Sequence, residues 1–241
     1  SLDGRAGPNL ACAQCGRAVA TRIDDCTLWQ VVRLDPTAVD RIPSGGPAPT
    51  ADWAELTRDR ASAPPIEPPG RWSPQWEAAV AVALAHLLAA SGGNRVSVPA
   101  GLLATAFGRA LDGLLPAGPT TKTLALAGPG VPTPAPATGI VLVPQHPQTG
   151  EAWQPPSGTA AEAVPLAADV WMHLAFHDDR RLVPATGVLP DGVLRDDPLP
   201  RHPWRVFRPD PRVLLHTLSR LPAVREPWLR AIHDRLNSRP S

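Results

Sequence analysis

The chain has 241 residues, of which 43% are hydrophobic and 19% are charged, with 23 basic and 22 acidic side chains. This length allows one large domain or two small ones, and this composition excludes an intrinsically disordered chain. The net charge of +1 creates no overall field that would attract nucleic acid or an anionic membrane.

The composition is biased towards arginine and proline. Arginine supplies all the positive charges except that of Lys122, and with 32 prolines this usage resembles that of GC-rich, actinobacterial genomes.

Three cysteines exclude a complete disulfide framework. The first residues, "SLDGRAG", lack an apolar signal core, and the weakly polar run at 78–90 is too short to cross a bilayer. We therefore expect a cytoplasmic protein with no membrane partner.

The N-terminal residues 9–34 are predicted to form short strands around turns, because apolar and polar residues alternate there. Cys12 and Cys15 have the C-x-x-C spacing with which two sulfurs grip one metal ion, and Cys26 is a third thiol nearby in the sequence. Thiolates are soft ligands that favour zinc or an iron–sulfur cluster. A structural zinc needs four ligands, so a remote histidine, a water or a partner protein would have to complete the site.

Two other interpretations of the cysteines stay open. The three thiols can be small, half-buried side chains, or Cys12 and Cys15 can form an oxidisable pair.

Residues 10–34, with "CAQCG", a strand, "DDC" and another strand, resemble half of a zinc ribbon. The departure from that family is Trp29, which stands where a ribbon has its fourth cysteine. The resemblance implies a zinc-binding knuckle, and such knuckles serve nucleic-acid binding, subunit assembly or simple stapling of the fold.

The next stretch is predicted to be a linker. Proline-rich segments at 42–50 and 61–70 flank a short helix for which Thr50 is the expected N-cap. The predicted organisation is therefore a zinc-ribbon-like β module (1–41), a proline-rich linker with a short helix (42–72) and an α-rich domain (73–241). The predicted fold class is α+β, a small β metal-knuckle module followed by an α-rich domain with a few short strands.

The α-rich domain is predicted from helical periodicity. One helix is capped by Ser73, opens at Pro74 and ends before two glycines at 92–93; a second begins near Pro99. Further predicted elements are strands at 121–127 and 139–143, a helix at 166–177 after Pro165, a turn at 188–194, a helix capped by Asp210 and a last helix from about Glu226.

His173 and His177 are four residues apart in "HLAFHDD" and would share one helix face, where they could hold a second metal or relay protons. The alternative is a helix C-terminus at which histidines and the following charges are simply solvated.

No nucleophile or phosphate-binding motif is present in the sequence. The segment "RHPWRVFRPDPR" interleaves arginines with Trp204 and Phe207, which suits stacking contacts or a protein anchor. We favour the interpretation that both aromatics pack into the core. The helices at 76–91 and 99–115 could also be drawn as a winged-helix unit, but Arg109 is the only base in its recognition segment.

Three functions follow from these observations. The first is a non-enzymatic adaptor or assembly component, stapled by zinc at Cys12, Cys15 and Cys26, that binds another protein. The second is a zinc-dependent enzyme in which the three cysteines leave the fourth position to a water, with His173 or His177 relaying protons. The third is a nucleic-acid-binding protein, which the balanced charge argues against. Whether the chain is an enzyme stays open.

Overall fold

The chain divides into two units, Ser1–Pro49 and Thr50–Ser241. The sequence placed the end of the first module at residue 41, whereas the contacts place the division at 49/50 and group the predicted linker residues from Thr50 onward with the larger unit. The computed structural model describes residues 8–25, 29–35, 38–39, 49–58, 60, 62–67, 70–135, 139–155, 160–177 and 203–238. The turn predicted at 188–194 lies outside these residues.

The smaller unit contains a three-stranded antiparallel sheet with the second strand in the middle. Its strands are β1 (Leu10–Ala11), β2 (Ala18–Asp25) and β3 (Trp29–Leu34). Asn9 extends the short β1, because its side-chain amide donates to the Arg22 carbonyl oxygen at 2.8 Å and its Oδ1 accepts the Arg22 N–H at 2.6 Å. The Asn9 side chain therefore makes the hydrogen bonds to β2 that the backbone of a further β1 residue would make.

The larger unit mixes helices and strands, which confirms the expected α+β character. Its strands are β4 (Ile66–Glu67), β5 (Arg71–Trp72), β6 (Arg95–Ser97), β7 (Thr120–Leu126), β8 (Ile140–Gln145) and β9 (Glu162–Ala167). Its helices are α1 (Trp53–Arg58), α2 (Pro74–Ser91), α3 (Arg109–Leu114), α4 (Ala168–Phe176), α5 (Pro211–Arg220) and α6 (Pro227–Asn237). No helix among the described residues has both the length and the apolar content that crossing a membrane requires.

Strands β6 to β9 form a four-stranded sheet in which every neighbouring pair is parallel and the order follows the chain. The strands predicted at 121–127 and 139–143 are confirmed as β7 and β8, and they pair in parallel rather than as the hairpin of a winged helix. A π-helical turn, Ala104–Gly108, leads into α3 between β6 and β7. The sheet is thus larger than the few short strands predicted.

Strand β9 was not predicted, because Pro165 divides this stretch of the sequence and residues 166–177 favour a helix. In the structure Pro165 lies within β9, opposite Val143 of β8. Among the strands that the structure describes, β9 pairs with β8 alone and lies at the edge of the sheet. A proline fits an edge strand because its missing N–H can face away from the ladder.

Helix α2 is the central helix of the larger unit and is buried around most of its circumference. This explains its alanine-rich sequence, since small side chains allow neighbouring elements to approach on several sides. The predicted ends are observed: Pro74 opens the helix and Gly92 closes it in the left-handed conformation at φ 61°. The predicted Ser73 cap is absent, because its side chain makes no capping hydrogen bond.

The two faces of the sheet have different covers. Ile140 and Leu142 of β8 belong to the main core, which includes α2 and α4. Val141 and Val143 point into a separate small cluster that Trp153, from the loop after β8, helps to close. A loop therefore helps to cover one face of the sheet, whereas helices cover the other.

Lys122, the single lysine of the chain, joins the sheet to α2. Its Nζ donates to the carbonyl oxygen of Ala90 in the last turn of α2 and lies 3.7 Å from Glu162 Oε2 of β9. A cation is favourable at this position because the C-terminal end of a helix carries partial negative charge.

Helices α5 and α1 both begin with a capping hydrogen bond, but the capping residue of α1 differs from the predicted one. Asp210 caps α5 as predicted, because its Oδ1 accepts the N–H groups of Arg212 at 2.8 Å and Val213 at 3.0 Å. At α1, Asp52 rather than the predicted Thr50 provides the capping oxygen, which accepts the Glu55 N–H at 2.7 Å.

Candidate functional site

The C-x-x-C turn joins β1 to β2 and carries both Cys12 and Cys15. The Cys12 N–H donates to the Arg17 carbonyl oxygen at 2.8 Å, and the Gly16 N–H donates to that of Cys12 at 2.8 Å. Gly16 has φ +72°, a conformation that favours glycine. Both thiols are free; Cys12 is partly exposed and Cys15 is exposed.

Neighbouring groups of the turn lower the pKa of the Cys12 thiol. The backbone N–H of Cys15 contributes most, followed by that of Gln14 and by the Cys15 thiol, and together they hold the pKa of the Cys12 thiol below its ordinary value.

The third predicted ligand, Cys26, lies outside the described residues, so the three-cysteine site stays a prediction. The topology bears on it, because the C-x-x-C turn precedes Ala18 at the start of β2 and residue 26 follows Asp25 at its end. An eight-residue strand spans about 23 Å at roughly 3.3 Å per residue. The described residues contain no cluster of three or more His, Cys, Asp or Glu side chains that could hold a metal.

His173 and His177 lie together at the end of α4, as their spacing predicts. Their rings are stacked, with centroids 4.8 Å apart and planes 13° from parallel. Lone pairs of imidazole nitrogens lie in the ring plane, so two stacked rings do not aim at one ion, and chelation by both would require a ring to turn.

Each of these histidines has a distinct environment. His173 is buried, packs edge-on against Trp76 at 5.2 Å, and its Nδ1 lies 3.4 Å from Ser62 Oγ. The Nδ1 of His177 is buried and has no hydrogen-bond partner in the described part of the chain. The metal or relay role of the pair stays a prediction.

A crevice of about 520 Å³ opens beyond the carboxyl ends of β8 and β9. In parallel sheets this edge is where ligands usually bind. Its polar lining includes Gln75, Gln145, His146 and Asp169, and Gln75 Nε2 donates to Asp169 Oδ2. These residues were not predicted as a site from the sequence. The signal that could have found them is the position of Gln145 and Asp169 beside the carboxyl ends of two parallel strands.

His146 is the only histidine in that crevice lining, and its contacts are structural. Its Nδ1 accepts the N–H groups of Gln148 and Thr149, each at 3.2 Å, and its Nε2 lies 2.9 Å from the Ala51 carbonyl oxygen. In this arrangement Nδ1 is the acceptor and Nε2 is placed to donate. A general base would need a free nitrogen, so His146 holds the loop instead.

Away from this crevice, burial lowers the pKa of the His86 imidazole on α2.

A third feature is the Trp204 segment, residues 203–210, which leads into α5. Its side chains divide between the core and solvent: Pro203 and Phe207 are buried, whereas Trp204 is 94% exposed and Val206 is 51% exposed. The expectation that both aromatics pack into the core is therefore correct for Phe207 and wrong for Trp204. Trp204 has the highest exposure among the exposed large apolar side chains of the described residues.

The backbone of the Trp204 segment is fastened to the helical body. The Trp72 indole donates to the Arg205 carbonyl oxygen at 2.8 Å, and the Asp210 N–H donates to that of Glu77 at 2.9 Å. Phe207 packs edge-on against Trp72 with ring centroids 5.2 Å apart. The exposed indole therefore projects from a fixed support.

Charge around the segment is positive. Arg205 pairs with Glu77 at 2.9 Å, and Arg208 and Arg212 are exposed. Burial raises the pKa of Glu77, and the neighbouring Arg205 partly opposes that effect. The exposed surface beside Trp204 thus presents arginines, whereas the acidic partner Glu77 is largely covered.

Comparisons with protein-family models, with curated proteins and with solved structures give no match to this chain. The described geometry is therefore the basis for a functional proposal.

Proposed function

We propose that the protein is a non-enzymatic adaptor that binds another protein through the Trp204 segment. The observation that carries the proposal is the 94% exposure of Trp204 on a backbone fastened at Arg205, Phe207 and Asp210. Tryptophan is usually well buried, and it is among the residues that dominate binding energy in protein interfaces. A fixed support lowers the entropy lost when a partner covers the ring.

The arginines favour a partner of opposite charge. Arg208 and Arg212, both exposed, follow the exposed apolar pair Trp204 and Val206 in the chain. A partner segment that combines carboxylates with an apolar side chain would match both features, and complementary charge would speed its association. We therefore commit to an acidic, apolar-containing protein segment as the occupant.

The test is selection from a library of random peptides on the wild-type protein, with depletion on a Trp204→Ala variant. We expect enriched peptides to carry Asp or Glu around an apolar residue. For these peptides Trp204→Ala should weaken binding by about 2 kcal/mol, roughly 30-fold, as loss of an interface anchor does. Peptide fluorescence anisotropy would measure the affinities.

Two control variants sharpen this test. Leu34→Ala truncates another exposed apolar side chain, 65% exposed on β3 of the smaller unit, and should leave peptide affinity unchanged. Arg208→Glu should slow association and reverse its salt dependence. Peptides that bind wild type and Trp204→Ala equally, or failure to enrich any acidic sequence, would overturn the proposal.

A further inference from the structure

The C-x-x-C turn presents two free cysteines at the surface of the smaller unit. The Gly16 N–H closes the turn on the Cys12 carbonyl oxygen at 2.8 Å, and residues 13–18 are exposed. Two cysteines at this spacing on one turn suit a pair of thiolates on one ion.

One copy of the smaller unit does not supply the other two ligands from its described residues. No third His, Cys, Asp or Glu joins the pair there, and β2 carries the chain about 23 Å away before residue 26. Zinc in a structural site takes four ligands in a tetrahedron, and two C-x-x-C pairs satisfy that requirement.

We infer that the turn is one half of a zinc site completed by a second copy of this chain, so that Cys12 and Cys15 of two copies hold one Zn²⁺. Two-fold symmetry is the commonest arrangement of protein pairs, and an ion on the axis would receive two sulfurs from each side. Four S–H bonds give up their protons as four Zn–S bonds form, and no oxidant or reductant takes part. This inference rests on the smaller unit and is independent of the Trp204 segment.

The experiment is zinc titration of the full chain under a non-thiol reductant, with molar mass from light scattering and zinc content from elemental mass spectrometry. We expect one zinc ion per two chains and a molar mass that doubles with zinc and returns to the monomer value with a chelator. Cys12→Ser and Cys15→Ser should each abolish both effects. Cys26→Ser is the matched control and should preserve them.

Each other result overturns the inference. One zinc per monomeric chain that is lost in Cys26→Ser would establish the three-cysteine site instead. One zinc per monomer that survives Cys26→Ser would indicate ligands from elsewhere in the same chain. A dimer that persists in Cys12→Ser or with chelator would belong to another interface, and a folded protein that takes up no zinc would leave the turn as an ordinary pair of thiols.

Discussion

Trp171 occupies the space that a side chain at position 128 would need. Its indole is fully buried and donates to the Leu142 carbonyl oxygen at 3.0 Å, which fixes α4 on the sheet. A Cβ placed on Gly128 would lie 2.3 Å from Trp171 Cζ2 and 3.0 Å from Pro144 Cδ. Glycine is therefore required at 128 by close packing rather than by a special backbone angle.

The Gly128→Ala variant should be destabilised by about 1–3 kcal/mol, because the buried indole would have to move. Gly113→Ala is the matched control: this position is in α3 with nothing within 4 Å of the added Cβ. The same substitution there should stabilise the protein by up to about 1 kcal/mol, as alanine does in a helix. Urea unfolding would measure both, and equal effects would contradict this account of position 128.

Trp204 and Phe207 show where sequence reasoning ends at the residue scale. Both are aromatic residues in one arginine-rich segment, so composition gives them the same expected burial. The fold separates them: Phe207 packs against Trp72, which also donates to the Arg205 carbonyl oxygen, whereas Trp204 is exposed. In contrast, the Cys12–Cys15 turn could be predicted, since its spacing and Gly16 are local features.

At the scale of elements, the starts of α2 and α5 show that the same capping signal in the sequence is used at one helix and not at the other. Ser73–Pro74 and Asp210–Pro211 are equivalent start signals in the sequence. Asp210 makes two capping bonds, whereas Ser73 makes none with its side chain. Ser73 is held instead through its backbone N–H, which donates to the Pro65 carbonyl oxygen at 2.9 Å.

Replacing the two caps should therefore have unequal effects. Asp210→Ala should lower the free energy of unfolding by about 1–2 kcal/mol, because two N–H groups of α5 lose their acceptor. Asp210→Asn should retain most of that stability. Ser73→Ala should change stability by less than about 0.5 kcal/mol. Chemical denaturation of the three variants would test this order, and a Ser73→Ala loss as large as that of Asp210→Ala would refute it.

Sheet pairing marks the limit of prediction for whole elements. Strands β7 and β8 were predicted from the sequence, but their parallel pairing depends on contacts between two strands that residues 127–139 separate in the chain. β9 was hidden because a proline disfavours a central strand and only its edge position admits one. Helices α2, α5 and α6 were predictable because a proline at the start and recurring apolar residues are encoded within each segment.

At the scale of the whole molecule, the main hydrophobic core lies entirely within the larger unit. Its buried members run from Trp72 to Ile232. The smaller unit has little buried apolar surface among its described residues, with Ala20 as its buried hydrophobic residue. Stability of the larger unit should thus depend on its own residues, as expected for a segment of this length.

A variant that begins at Thr50 should therefore fold and unfold cooperatively. We expect its urea midpoint to match the corresponding transition of the full chain, because no member of the main core is removed. Near-ultraviolet circular dichroism would check that its tryptophans remain in fixed surroundings. A truncated protein without such a signal would show that residues 1–49 are needed for the fold.

The attachment of Lys122 gives the protein an unusual chemical property. The chain has one ε-amino group, and that group is engaged by the Ala90 carbonyl oxygen where the end of α2 meets the sheet. Reagents that acylate amines therefore have a single side-chain target, which becomes fully reactive only when this contact opens. The rate of acylation at residue 122 would then report how often this contact opens, with no residue of the protein replaced.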